Sequence, residues 1–362
     1  HPNPLPLGEG VSGRTLMTRV IASPDKFITI GENIHTSRIV KQGGPRTGTT
    51  PGGQEAVTFK GEDGQTRFLT VPDIFKKRQP YKEGNLKHFM IAVYKGVHGD
   101  ADEQATGAAY VHWEARRQIK AGASYLDLNV DEVSYNLPEQ KRSMVWLVNA
   151  VQQVSSVPVS VDSSNAEIIA EGLATYDGRT GRPVLNSVAL ERVGALDLVL
   201  KHNTKVVVTA AAESGMPSNA EERLTNIGKI VEAALSKGIK KEDLFIDCLA
   251  FPIAVAPEYG RHFLDAVALV RKEFGPAVHI TGGISNVSFG LPKRRLVNDT
   301  FLYLALEHGA DSGIINPLET SPSGAFSLDL QSEPVKIAMD MLLGDDEYCV
   351  KFLQAFRAGK LG

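Results

Sequence analysis

The sequence predicts an α/β protein closed into a (β/α)8 TIM barrel, and three observations carry that reading. Eight short apolar, β-branched runs alternate with helical patterns from Phe27 to about residue 345, and strand–helix alternation of this kind builds a parallel sheet. The runs show little apolar–polar alternation, as expected of strands covered on both faces. No glycine-rich phosphate loop follows the first run, which sets aside an open doubly wound sheet and leaves the barrel.

Taken in order, residues 1–16 are rich in proline and glycine and lack periodicity, so they read as a disordered tail. Met17 reads as the natural start of a barrel domain spanning 17–345. The first strand is FITIGEN (27–33). A long insert, about 36–100, follows it. The insert is glycine-dense at first, then offers a hairpin, EAVTFK-GEDGQ-TRFLTV, turning at Asp63-Gly64, then a basic segment from Lys76 to Lys87. A stretch this long without structure of its own reads as a lid, a docking loop or a disordered segment. Because it leaves the first strand at the active face, it is expected over or beside the barrel mouth. Thereafter helices over 102–121, 138–154, 165–176, 191–202, 219–236, 259–274 and 296–308 lead in turn into strands at 124–130, 158–164, 183–189, 205–211, 244–250, 277–283 and 312–317. A helix over 333–343 completes the barrel, and a C-terminal helix falls within 346–362.

Composition narrows the class. A formal net charge of −3 calls for neither nucleic acid nor an anionic membrane. Cys248 and Cys349, the two cysteines, are too few for a disulfide scaffold or a four-thiolate metal site. No apolar run approaches the roughly 18 residues of a membrane span, and no signal-peptide pattern is present. The expectation is a cytoplasmic protein.

In such a barrel, chemistry lies at the C-terminal ends of the strands. Those ends read Glu32-Asn33, Asp127 and Asn129, Asp162-Ser163-Ser164, Asn186-Ser187, Thr209, Asp247, Ser285-Asn286 and Asn316. The seventh end, TGGISNVSFGLPKRR (281–295), pairs Gly282 and Gly283, which let backbone or ligand approach closely, with polar side chains just beyond. The ring holds carboxylates and carboxamides, with no His-His-carboxylate set and no nucleophile–base pair, so no bound metal is predicted. It suits a flat heterocycle with adjacent N–H donors, since one carboxylate accepts two such donors side by side. Ser163, Ser164 and Asn165 read equally well as helix caps. Asp162 and Asp247 do not, because each ends an apolar run where an unpaired carboxylate is costly.

The motifs LDLNV (126–130), VDSSN (161–165), LNSVA (185–189), ESGMP (213–217), LFIDCLAFP (244–252) and ISNVSFGLPKRRLVNDTFL (284–302) resemble those of the pterin-binding methyltransferases. These are the methyltetrahydrofolate:corrinoid protein methyltransferases and the folate-binding module of cobalamin-dependent methionine synthase. The resemblance covers about 24–35 and 105–345, and the wider superfamily includes dihydropteroate synthase. It implies a dihydropteroate synthase-like barrel with a long insert after the first strand. The implied reaction moves a methyl group between the ring nitrogen of (methyl)tetrahydrofolate and the cobalt of a corrinoid protein. It implies that Asp162, Asn186 and Asp247 hold the pterin, with Asp127, Asn129, Ser285 and Arg294 at or near the substrate. It also implies that Asn286 meets the methyl-bearing nitrogen. No Asp-x-His-x-x-Gly motif appears, so the cobalamin is implied to arrive on a partner protein; a homodimer is implied too. The chain departs from the family pattern at His35, where Asn is usual, and at Ala212-Glu213, where Asn-Lys is usual. A dihydropteroate synthase-like condensation is the competing enzyme class, although that enzyme's NVTPDSF and SRK signatures are absent. A non-catalytic folate-binding or corrinoid-docking subunit is the competing non-enzyme.

Overall fold

The computed structural model describes residues 19–212 and 215–362, so the tail 1–16, Met17 and Glu213 lie outside the described residues. Eight parallel strands form one sheet: β1 (Ile28–His35), β2 (Tyr125–Asn129), β3 (Val159–Asp162), β4 (Val184–Val188), β5 (Lys205–Thr209), β6 (Leu244–Asp247), β7 (His279–Thr281) and β8 (Ser312–Ile315). Their order is β7-β6-β5-β4-β3-β2-β1-β8, and the Ile314 amide closes the ring by donating to the Gly282 carbonyl at 2.9 Å. The helices that follow the strands are α1 (Ala101–Lys120), α2 (Leu137–Gln152), α3 (Ala166–Thr175), α4 (Leu196–Lys201), α5 (Ala220–Ser236), α6 (Tyr259–Phe274), α7 (Arg294–Glu307) and α8 (Glu333–Leu342). A C-terminal helix spans Val350–Arg357. No helix among the described residues is long and apolar enough to cross a membrane.

The core has two layers. A large outer layer packs the sheet against the helices, while a small inner one fills the barrel with Ile30, Tyr125, Val184, Val207 and Phe245. Because inward positions recur every second residue, the next inward residues toward the mouth are Asp127, Asn186, Thr209 and Asp247. The apolar plug therefore sits one residue layer beneath the polar groups, and it closes the pocket floor. Bulges in β1 between Gly31 and Ile34, and in β4 beside Asn186, sharpen the strand bend where polar residues turn toward the mouth.

Two expectations are corrected. The region predicted as one helix over 191–202 begins as a 3-10 turn (Leu190–Ala195), because Arg192 leaves helical geometry and donates to the carbonyls of Ser163 and Ser164. The insert, in turn, is built rather than structureless. Its hairpin (Glu55–Lys60 with Thr66–Thr70) gains a third strand, Thr47–Thr49, and a ribbon pairs Val40–Lys41 with Asn85–Leu86. A helix, His88–His98, then wedges against α1 and α2 and is buried nearly all round. Gly107 permits the approach, since a Cβ there would meet the Ala92 carbonyl oxygen at 2.5 Å.

The hairpin does not cover the mouth. Phe59 packs edge-on against Tyr110 at 5.2 Å, and Glu62 at the turn pairs with Arg116 near the end of α1 that leads into the start of β2. The hairpin thus lies along the flank of the barrel. Beyond its first few residues, the insert reaches the rim through the basic segment, where Lys87 pairs with Glu132 at 2.6 Å.

Candidate functional site

The β2–β4 side of the mouth is a network of side chains. Asn129 donates its Nδ2–H to Asp162 Oδ2 at 2.9 Å, and Asn186 does the same to Asp127 Oδ1 at 3.1 Å. Burial, aided by the neighbouring Asp127 charge, lifts the Asp162 carboxyl well above the usual carboxylate range. Burial likewise pushes Asp127 up to about 6, against the Asn186 hydrogen bond that favours its ionised form.

Of the three polar residues after β3, Asn165 is the helix cap, accepting from the Glu167 amide. Ser163 donates to Asp131, whose other oxygen accepts from the Ser164 amide. Those two serines are therefore occupied in holding the loop after β2 against the loop after β3.

The β6–β7 side differs. Asp247 Oδ1 accepts from the Leu249 amide at 2.8 Å, Leu249 having a positive φ of 59° at the strand exit. Burial raises the Asp247 carboxyl to about 6, with the Leu249 hydrogen bond and the Arg223 charge acting the other way. Arg223 is fully buried and donates to the carbonyls of Cys248 and Leu249, so it braces the turn that aims Asp247. Sequence reasoning missed this arginine, because on a helix it gives no signal of the carbonyls it will meet.

Asn286 sits in a 3-10 turn (Ile284–Ser288). Its carboxamide makes no hydrogen bond among the described residues and folds over Gly283, where a Cβ would lie 2.7 Å from its Nδ2. What approaches the second glycine is thus the amide of Asn286 itself. Gly282 makes room for the Phe263 ring, which a Cβ would meet at 2.6 Å. Arg294 starts α7 and turns its guanidinium back on that turn, donating to the Ser285 carbonyl at 2.9 Å and to Ser288 Oγ at 3.0 Å. Ser285 is buried, and its hydroxyl has no partner.

Two strand-end residues in the sequence ring are spent on the scaffold. Asn33 donates to Asn316 Oδ1 at 2.8 Å and to Glu114 Oε1 at 2.9 Å, so β1, β8 and α1 are locked together there.

His35 does face the mouth, with Nε2 at 3.9 Å from Asp162 Oδ2. Its Nδ1 receives the Ser37 amide at 3.0 Å; an amide can only donate, so Nδ1 is unprotonated and Nε2 carries the proton of the neutral ring. Burial and the nearby Arg38 push its pKa down to about 4, keeping it neutral. It is a hydrogen-bond donor toward the pocket and a poor general acid.

Among known proteins, the model of the pterin binding enzyme family matches residues 104–316, from α1 through β8 and beyond the insert. Methylcorrinoid:tetrahydrofolate methyltransferase of Eubacterium limosum is 30% identical over 264 residues, covering 70% of this chain and 89% of that protein. Methionine synthase of Mycobacterium leprae is 32% identical over 223 residues, which is 58% of this chain and only 18% of that longer protein. A solved dihydropteroate synthase of Xanthomonas albilineans aligns with 72% of this chain and 88% of its own at 18% identity and a TM-score of 0.48.

Proposed function

This chain belongs to the pterin-binding enzymes and is a methyltransferase among them, and from that premise we propose that it moves a methyl group between the ring nitrogen of tetrahydrofolate and the cobalt of a corrinoid held by a partner protein. The observation that carries the reading is the set of groups left open at the mouth. Asp162 Oδ1, Asp247 Oδ2 and the whole Asn286 carboxamide have no hydrogen-bond partner among the described residues. A reduced pterin presents an amino group and ring N–H donors along its edges, which is what two spare carboxylate oxygens accept. Asn129 and Asn186 hold the acids on the β2–β4 side in place, and His35 Nε2–H offers one further donor beside Asp162.

The nitrogen that exchanges the methyl keeps the electron pair of the broken C–N bond and takes up a proton; the reverse transfer releases that proton. Asn286 cannot supply it, since a carboxamide does not titrate usefully. Its amide hydrogen-bonds the nitrogen, an interaction that strengthens as charge changes there, while the proton comes from water. When bound, the corrinoid supplies the cobalt that gives or takes the methyl. The chain's part is to hold the pterin with its methyl pointing out of the mouth.

Support for a protein partner comes from the loops that leave the strands. Ile39, Tyr135, Val193, Met216, Val255 and Phe289 are exposed large apolar residues, each on a loop after a strand end. Apolar side chains on loops at the strand-end face fit a surface that another protein covers.

The test is turnover of methylcobalamin with tetrahydrofolate, followed by absorbance, beside calorimetric binding of tetrahydrofolate. Binding without turnover, even with a cognate corrinoid protein, would leave only a folate-binding subunit.

A further inference from the structure

We propose that the cleft between the insert and the loop leaving β2 takes the aminobenzoyl-glutamate tail of the folate, a proposal that rests on the pterin reading above. The cleft has a volume of about 620 Å³ and is lined by Phe75, Arg78, Tyr81, Asn85, Lys87 and Tyr135, among others. That falls within the roughly 300–1,000 Å³ usual for small-molecule sites.

Its charges are unequal in a specific way. Both oxygens of Asp131, in the cleft wall, are taken by Ser163 and the Ser164 amide, and Glu132 is paired with Lys87. Arg78 is the cation left over. Its guanidinium lies 4.6 Å from the Phe75 ring centroid and donates to Met90 Sδ, and no carboxylate among the described residues comes within ion-pair distance. A thioether is a weak partner for a fork that fits a carboxylate with two parallel hydrogen bonds. A second polar group is open too, since Asn85 Oδ1 is buried and receives no hydrogen bond. Phe75, Tyr81 and the fully exposed Tyr135 add aromatic surface. An aromatic ring, an amide N–H and carboxylates in sequence match aromatic walls, the Asn85 oxygen and Arg78.

The cleft also adjoins the mouth. Lys87 Nζ donates to the Ser37 carbonyl at 3.1 Å, and Ser37 in turn holds His35 beside Asp162. From the other side, Asp131 stands two residues beyond Asn129, which holds Asp162. A pterin at Asp162 can lay its tail across this shared wall. The insert residues of the cleft lie before the family-matched span of 104–316.

The experiment compares binding of 5-methyltetrahydrofolate, its triglutamyl form and a 5-methyltetrahydropterin lacking the tail, by calorimetry. Arg78→Ala is expected to weaken both folates by about tenfold and to change the tail-less pterin by less than about twofold, with Arg78→Lys recovering part of the loss. Tyr135→Ala, at a fully exposed position that folding does not depend on, should show the same pattern at smaller size. Equal loss for all three ligands, or no loss for any, would overturn the proposal. So would a defect confined to turnover with a corrinoid protein, which would make the cleft a docking surface. A wild-type protein that binds the tail-less pterin as tightly as the folates would overturn the tail site alone. One that binds no pterin compound would sink the pterin reading with it.

Discussion

On the β2–β4 side of the mouth, Asn129 and Asn186 each give an N–H to an aspartate, whereas on the β6–β7 side, among the described residues, Asp247 accepts only one backbone amide and the Asn286 carboxamide bonds nothing. The first side uses its carboxamides to orient its own acids. The second holds its groups by backbone and packing, through Arg223 on the turn after Asp247 and Gly283 under Asn286. The difference separates residues that shape the pocket from residues whose hydrogen bonds are left for a ligand. Substitutions on the two sides should therefore fail in different ways.

The largest effect is expected from Asn286→Ala. Removing an amide that acts on developing charge should slow transfer about 100-fold at saturating folate, with affinity changed by less than about fivefold. Single-turnover rates beside equilibrium binding check it, and a variant that binds poorly but transfers at the normal rate would erase the distinction.

Asp247→Asn comes next, with two opposite consequences. Folate affinity should fall by roughly 10–100-fold as a charged acceptor is lost. Stability of the free protein should rise, because the Asp247 pKa is raised to about 6 in the folded state against about 3.9 unfolded. A raised carboxyl contributes stability that is complete below the unfolded value and is lost as pH climbs through about 6. The variant's advantage should thus be about 1–3 kcal/mol at pH 7 and shrink as pH falls below 6. Thermal unfolding at pH 5 and pH 7 measures it.

Asn186→Ala on the opposite side should instead lower both affinity and stability, each modestly. Asp127 loses the donor that favours its ionised form, at a cost of about 1 kcal/mol or fivefold in binding. If this variant became more stable, as Asp247→Asn should, the two sides would not differ as described.

The smallest effect sharpens the comparison through pH. Bound N–H donors favour ionised acids, so affinity should fall as pH drops and Asp162, Asp247 and Asp127, all raised by burial, take up protons. His35 should add no step near 6.5, because its pKa is already pushed down to about 4. His35→Asn, which keeps an N–H donor, should shift affinity by less than about threefold. Calorimetry from pH 5 to 8 on both proteins reads all of this.

The barrel was legible because each strand is a short apolar run that stops at a polar residue, and that same pattern located Asp127, Asp162, Asn186 and Asp247. Two kinds of information were not in the pattern. Which polar groups satisfy one another depends on neighbouring strands in register: Asn129 lies opposite Asp162, and Asn33 is spent on Asn316 at the end of the adjacent β8. The insert helix was invisible for a different reason. His88–His98 is covered nearly all round, Lys95 included, so it lacks the polar face that makes helical periodicity readable.

The packing of the insert on α1 also bears on the order in which the chain folds. The insert sheet meets its partner helix within residues 47–120, whereas β1 must wait for β8, 284 positions further on (28 to 312). Contacts close in sequence cost less loop entropy and form sooner. The N-terminal third is thus expected to gather its own apolar cluster around Phe59, Leu69 and Tyr110 while the sheet is still open, during synthesis as well as on refolding. Pulse-labelled hydrogen exchange should find the amides of Glu55–Lys60 protected before those shared by β1 and β8. Excising the insert would then remove an early-forming support of α1 and not an ornament of the mouth.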